Sequence, residues 1–275
     1  MGTADITSSR RKLRRAKVHL DALASEMKSA TNQKTHSTRI ELRQEGVWQV
    51  VYLTLGFSPP PEWAMMIGDA VNNMRAALDH LIWQLVLRDD NEPRDTHAFP
   101  IFTDREQFIE KVKAPPKKTE QRSPLYGIIV DGDAWTVIEG AQPFNRPEPE
   151  MAEFELLANL RQMSNLDKHW GVLVQAPFPN LKRLDDWIGW RHGLQYVERI
   201  DHIGPLVLEQ PAEICRLRFA DANPGMYVKG QPIVHPTFGS GEFQVSAGRF
   251  RNIFHRVEEI VDQIGGLPNV KWDDP

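Results

Sequence analysis

A chain of 275 residues with 41% hydrophobic and 25% charged side chains has globular composition and room for one large domain or two ordinary ones. Its net charge of −4 lacks the whole-protein basic footprint of a DNA binder, and its single cysteine, Cys215, excludes an intrachain disulfide and a thiolate metal cluster. No apolar run approaches a membrane span and Met1-Gly-Thr-Ala-Asp-Ile6 lacks a signal-peptide core, so a cytoplasmic setting without a membrane partner is expected.

The first expected element is an amphipathic helix over residues 8 to about 31, where Leu13, Ala16, Leu20, Leu23 and Met27 recur at helical spacing. Its start holds six basic residues in Arg10-Arg-Lys-Leu-Arg-Arg-Ala-Lys17, either an exposed helix start or a patch able to meet phosphate. Thr38–Arg43 and Val47–Leu55 alternate in polarity around Glu45-Gly46 and predict a β-hairpin. Pro59-Pro-Pro61 ends that hairpin and opens a helix from about Pro61 to Leu87, because proline suits a helix's first turn. Thr103 and Glu106 have the spacing of a capping box for a short helix to Val112, followed by the Pro/Lys loop Lys113–Lys118.

A short helix is expected over Ala134–Gly140. Pro147-Glu-Pro149 introduces a longer one, on which Phe154, Leu157, Leu160 and Met163 recur and which carries Ser164-Asn-Leu-Asp-Lys-His169. From Val172 to Glu242, β-rich runs such as Leu206–Leu208, Ile214–Phe219 and Ile233–His235 are separated by Pro, Gly, Asn and Asp, as in antiparallel strands and turns. The last helix runs from Ser246 to Ile264, with Phe250, Phe254, Val257, Ile260, Val261 and Ile264 apolar and Gly265-Gly266 closing it. The fold class expected is α+β: about four main helices, an N-terminal hairpin and an antiparallel β segment before the last helix. The expected division is a helical bundle over 8–171 with its hairpin at 38–55, a β subdomain over 172–245, and a C-terminal helix over 246–265 that packs back on the bundle.

Chemistry concentrates on the central helix. At about 100° per residue, Ile67, Ala70, Val71, Met74, Leu78, Leu81, Ile82 and Leu85 share one face. The opposite arc carries Asp69, Asn72, Asn73, Arg75, Asp79 and His80. A solvated face usually favours Lys, Glu and Gln, which are better helix formers than short polar side chains. The arc is therefore expected to lie against something, either as a polar ladder matched by a neighbouring element or as a site.

Arg75 and His80 have the spacing R-x4-H. The stretch resembles the HEPN superfamily, helical-bundle proteins named for higher eukaryotes and prokaryotes nucleotide-binding, many of them ribonucleases with an R-x4-6-H motif on a core helix. The strings Gly68–His80 and Asn165–His169 are also similar to a group of uncharacterised bacterial and phage proteins. The resemblance implies an endoribonuclease acting in defence or as a toxin, in which the RNA 2′-hydroxyl attacks the neighbouring phosphorus with no metal or other cofactor. His80 would move a proton, suited by an ordinary pKa of about 6.5. Arg75 would offset charge on the phosphorane. Asn72 and Asp79 would orient Arg75, with Asp69 and Asn73 in support. The resemblance also implies a homodimer, formed where the motif helices of two protomers meet.

The position after the arginine, often Asn, His or Asp in active members, is Ala76. That leaves open the alternative of a non-catalytic HEPN-like binding or assembly module whose polar helix face is structural. Asp167, Lys168 and His169 read either as a helix C-terminus, where basic groups meet the negative end of the dipole, or as a second-helix contribution to the same site. A metal site from Asp79, His80, Asp167 and His169 is a third option, without supporting linear spacing. Arg14 to His19 and Arg249 to His255 also fit the loose R-x4-6-H pattern. Walker, dinucleotide-binding and nucleophile-elbow motifs are missing from the sequence.

Overall fold

In the computed structural model the described residues are 2–31, 36–44, 47–55, 59–113, 115–118, 120–145, 151–152, 155–169, 173–179, 188–189, 197–202, 212–220, 227–228, 234–240 and 243–273. The chain is α+β. In order it forms β1 (Ala4–Asp5), α1 (Thr7–Thr31), β2 (His36–Arg43), β3 (Trp48–Leu55), α2 (Glu62–Arg88), α3 (Arg105–Phe108) and α4 (Asp133–Gly140). It continues with α5 (Leu156–His169), β4 (Leu173–Pro179), β5 (Ile188–Gly189), β6 (Val197–His202), β7 (Ala212–Phe219), β8 (Tyr227–Val228), β9 (Val234–Ser240), β10 (Phe243–Ser246), α6 (Ala247–Gly265) and β11 (Val270–Lys271). Among the described residues no helix is long and apolar enough to cross a membrane.

Two compact units emerge. The first comprises Met1–Leu23, Ala64–Val172 and Gly248–Pro275; the second comprises Ala24–Trp63 and Leu173–Ala247. In the first unit the expected apolar face of α2 is core: Ile67, Ala70, Val71, Met74, Leu78, Leu81, Ile82 and Leu85 are all fully buried. Phe250, Ile253, Val257, Ile260, Val261 and Ile264 of α6 are fully buried in the same unit. Each such side chain contributes about 1.5–3 kcal/mol relative to exposure, so these two faces hold the unit. β1 and β11 pair in parallel, Ala4 with Val270 and Asp5 with Lys271, a contact too short to leave a periodic signal in the sequence.

Inside this unit Arg88 is 2% exposed and joins two carboxylates. Its Nε donates to Asp89 Oδ1 at 3.0 Å, and its Nη1 and Nη2 donate to the two oxygens of Asp133 at 3.2 and 2.8 Å. Burial pushes the Asp133 carboxyl upward, but the hydrogen bonds from Arg88 and from the Ala134 N–H outweigh it and hold the group below its ordinary value.

The second unit contains a four-stranded antiparallel sheet in the order β2-β3-β7-β6 and a three-stranded one in the order β10-β9-β4. Its register runs from Arg43 opposite Trp48 in the hairpin to Trp48 opposite Arg218 in β7. The hairpin at 38–55 was expected within the bundle over 8–171, yet it falls in the unit with residues 173–247. The physical reason is that a two-stranded hairpin is marginal alone, and β7 supplies the third strand that makes β3 central.

The short helix α3 begins one residue later than its expected cap. Asp104, not Thr103, is the N-cap and accepts from the Gln107 N–H at 2.8 Å. A π-helical turn, Ile109–Lys113, continues it. The expected signals at Glu45-Gly46, Pro147–Pro149, Phe154 and Leu206–Leu208 lie outside the described residues.

Candidate functional site

The polar arc of α2 meets three neighbours. On one side lies α1. Ser8 Oγ is 2.7 Å from His80 Nδ1, and His19 Nδ1 is 3.8 Å from Asp69 Oδ2. Residues 8 and 19 are as far apart along α1 as 69 and 80 are along α2, so these contacts set the two helices antiparallel along about 16 Å of axis at 1.5 Å per residue. Burial, and then the charge of Lys12, lower the His80 imidazole pKa below its ordinary value, only partly offset by Asp79. The ring is therefore neutral at neutral pH.

On the other side the arc grips the chain that follows it. Arg75 Nε donates to Asp79 Oδ2 at 3.2 Å, and Arg75 Nη2 donates to the Phe99 carbonyl at 2.7 Å while lying 2.9 Å from Asp79 Oδ1. Asp79 Oδ1 accepts from the Phe99 N–H at 2.8 Å. The carboxylate and guanidinium thus satisfy both backbone groups of a fully buried phenylalanine. The same segment is held from elsewhere: Gln142 accepts from the Phe102 N–H and donates to the Pro100 carbonyl, and Arg161 donates to the Ile101 carbonyl.

Nearer the start of α2, Asn72 Nδ2 donates to Asp167 Oδ2 of α5 at 2.6 Å. Gly68 makes room for that carboxylate, because an added Cβ would collide with Asp167 Oδ1. Asn73 turns back on its own helix, donating to the Asp69 carbonyl at 2.7 Å.

Arg75 and His80 are thus bonded on different sides of the helix. Five residues on an α-helix turn the side-chain direction by roughly 140°, and their partners, Phe99 and Ser8, lie accordingly. Asp167 meets Asn72, Lys168 borders a cavity shared with Arg75, and His169 ends α5 with its side chain outside the described residues. The alternative hits differ again: Arg249 donates to Asn159 Oδ1 at 2.5 Å, and His255 lies 3.3 Å from Glu258. Among the described residues no group of three or more His, Cys, Asp or Glu side chains is placed to hold a metal ion.

The shared cavity has a volume of about 310 Å³. Arg75, Arg161 and Lys168 line it together with Ser164 and Asn165, and Phe99, Pro100, Ile101 and Pro124 form an apolar wall. Among the described residues no acidic one lines it. Sequence reasoning singled out Arg75 and Lys168 and quoted Ser164 in the string Ser164–His169 without giving it a role, but missed Arg161. The signal was there, since 161, 164, 165 and 168 fall at i, i+3, i+4 and i+7 and so form one polar stripe on α5.

Compared with protein-family models, curated proteins and solved structures, the chain matches none. The functional reading therefore rests on this geometry.

Proposed function

We propose that this chain is a non-catalytic, HEPN-like binding module in which the polar face of α2 is a structural network. One observation carries the reading. The Arg75 guanidinium is committed to Asp79 and the Phe99 carbonyl, whereas His80 is bonded to Ser8 of α1 on another side of the helix. General acid-base catalysis at a phosphodiester needs the proton carrier and the charge-stabilising group to converge on one phosphate, within hydrogen-bond reach. A guanidinium that holds a buried peptide group in place is a poor candidate to be redeployed on a substrate. The homodimer, implied by the resemblance alone, and the cytoplasmic setting, expected from the composition, belong to the same proposal.

The test is purified protein incubated with RNA in EDTA, comparing wild type with Arg75→Ala and His80→Ala, each checked for folding by circular dichroism. The expected result is no cleavage by the wild type. Wild-type cleavage that disappears in both folded variants would replace this reading with a metal-independent endoribonuclease.

A further inference from the structure

The cavity beside α2 and α5 is chemically unlike the protein around it. The chain as a whole carries −4, yet three cations, Arg75, Arg161 and Lys168, border this hollow with no acid among its described lining residues. Asp79, outside the lining, offsets part of the Arg75 charge; the remaining surplus of positive charge costs free energy that an entering anion recovers.

The hydrogen-bonding inventory agrees. Arg75 uses Nε and Nη2 on Asp79 and Phe99, and among the described residues its Nη1 hydrogens meet no protein acceptor. Lys168 is exposed and has no carboxylate partner among the described residues. Ser164 supplies an independent observation: it is 2% exposed, borders the cavity, and its hydroxyl has no hydrogen-bond partner among the described residues. A buried hydroxyl left unmatched costs about 1–3 kcal/mol, a cost that a ligand oxygen would remove.

We infer that this cavity binds a small phosphate monoester with an apolar body. Lys168 and Arg161, with the remaining Nη1 edge of Arg75, suit a dianion better than a carboxylate's single charge, and guanidinium groups match phosphate oxygens. At neutral pH a phosphate monoester carries between about −1.5 and −2, given a second pKa of about 6. Ala98 and Pro124, both partly exposed in the lining, offer the apolar surface for a ring or short chain. At about 310 Å³ the space sits at the lower end of ligand-pocket sizes and takes a small molecule.

The inference deepens the binding reading above and rests on it. The RNA assay separates their failures, because cleavage overturns the module whatever the cavity binds, whereas the titration below judges the cavity alone. The full chain is titrated by calorimetry at low salt with phenyl phosphate, inorganic phosphate and benzoate, using wild type, Lys168→Ala, Ser164→Ala and the loop control Lys117→Ala.

Phenyl phosphate is expected to bind saturably and more tightly than either inorganic phosphate or benzoate. Lys168→Ala is expected to weaken it about tenfold and Ser164→Ala several-fold, with Lys117→Ala unchanged. No saturable binding up to about 10 mM, benzoate binding as tightly as phenyl phosphate, or an unchanged Lys168→Ala titration overturns the inference. Because Lys168 is solvent-exposed, its loss is separable from misfolding.

Discussion

Removing the guanidinium of Arg75 should destabilise the first unit far more than removing the imidazole of His80, a difference that two catalytic groups would have no reason to show. Arg75→Ala deletes a 2.7 Å bond to the Phe99 carbonyl and the ion pair with Asp79, at a side chain only 18% exposed. A solvated i,i+4 ion pair contributes about 0.3–0.5 kcal/mol, so the pair alone is minor. The larger cost is the Phe99 carbonyl, which belongs to a fully buried residue and loses its charged donor, at about 1–3 kcal/mol. Together the loss should be about 2–3 kcal/mol in urea unfolding followed by circular dichroism, with an unchanged m-value. His80→Ala removes one bond to a surface serine and should cost about 1 kcal/mol or less. Asp79→Ala strips the Phe99 N–H in turn, and the double variant should cost less than the sum by about 1 kcal/mol, because both side chains act on one peptide segment. An Arg75→Ala protein within about 0.5 kcal/mol of wild type, or strictly additive Arg75 and Asp79 losses, would refute the clamp.

Gly68→Ala should gain about 1 kcal/mol of helix propensity but force Asp167 off Asn72, for a net thermal destabilisation of about 1 kcal/mol. In an Asp167→Ala background the same change should become stabilising, and persistence of the loss there would refute the steric account. Asp133 gives the pH dependence. Its folded pKa is depressed, so its contribution is present above the ordinary carboxylate pKa and disappears as pH falls through the folded value. Asp133→Asn should therefore lower stability at pH 7, by no more than about 1 kcal/mol because the side chain is 38% exposed. The gap to wild type should close in melts below about pH 4, and a gap independent of pH would contradict the Arg88 pairing.

The long elements were legible because helical burial imprints a period: every apolar position named on α2 is buried, and so are those named on α6. Strand pairing left no such trace. That β3 pairs with β7 is a long-range fact that local alternation cannot encode, and the two-residue strands at the ends are too short for any pattern. The polar arc announced that it had a partner but not which one. Its main acceptor is a backbone carbonyl 24 residues away, and backbone groups are the same at every position of a sequence. Arg161 went unnoticed and Ser164 was given no role, because apolar spacing marks the helix α5 whereas the informative stripe there is polar. Arg88 shows the same limit: its partner Asp133 lies 45 residues on, with nothing local to couple them.

The segment Ala98–Phe102 is tied by Asp79 and Arg75 of α2, by Gln142 just beyond α4, and by Arg161 of α5. One wall of the cavity is thus set before any guest arrives. Immobilising a freely rotating side chain on association costs about 0.5–1.5 kcal/mol, and a surface whose backbone is already moored avoids most of that loss. A modest hollow can then retain a small guest with few contacts, and release it without the surrounding helices having to rearrange.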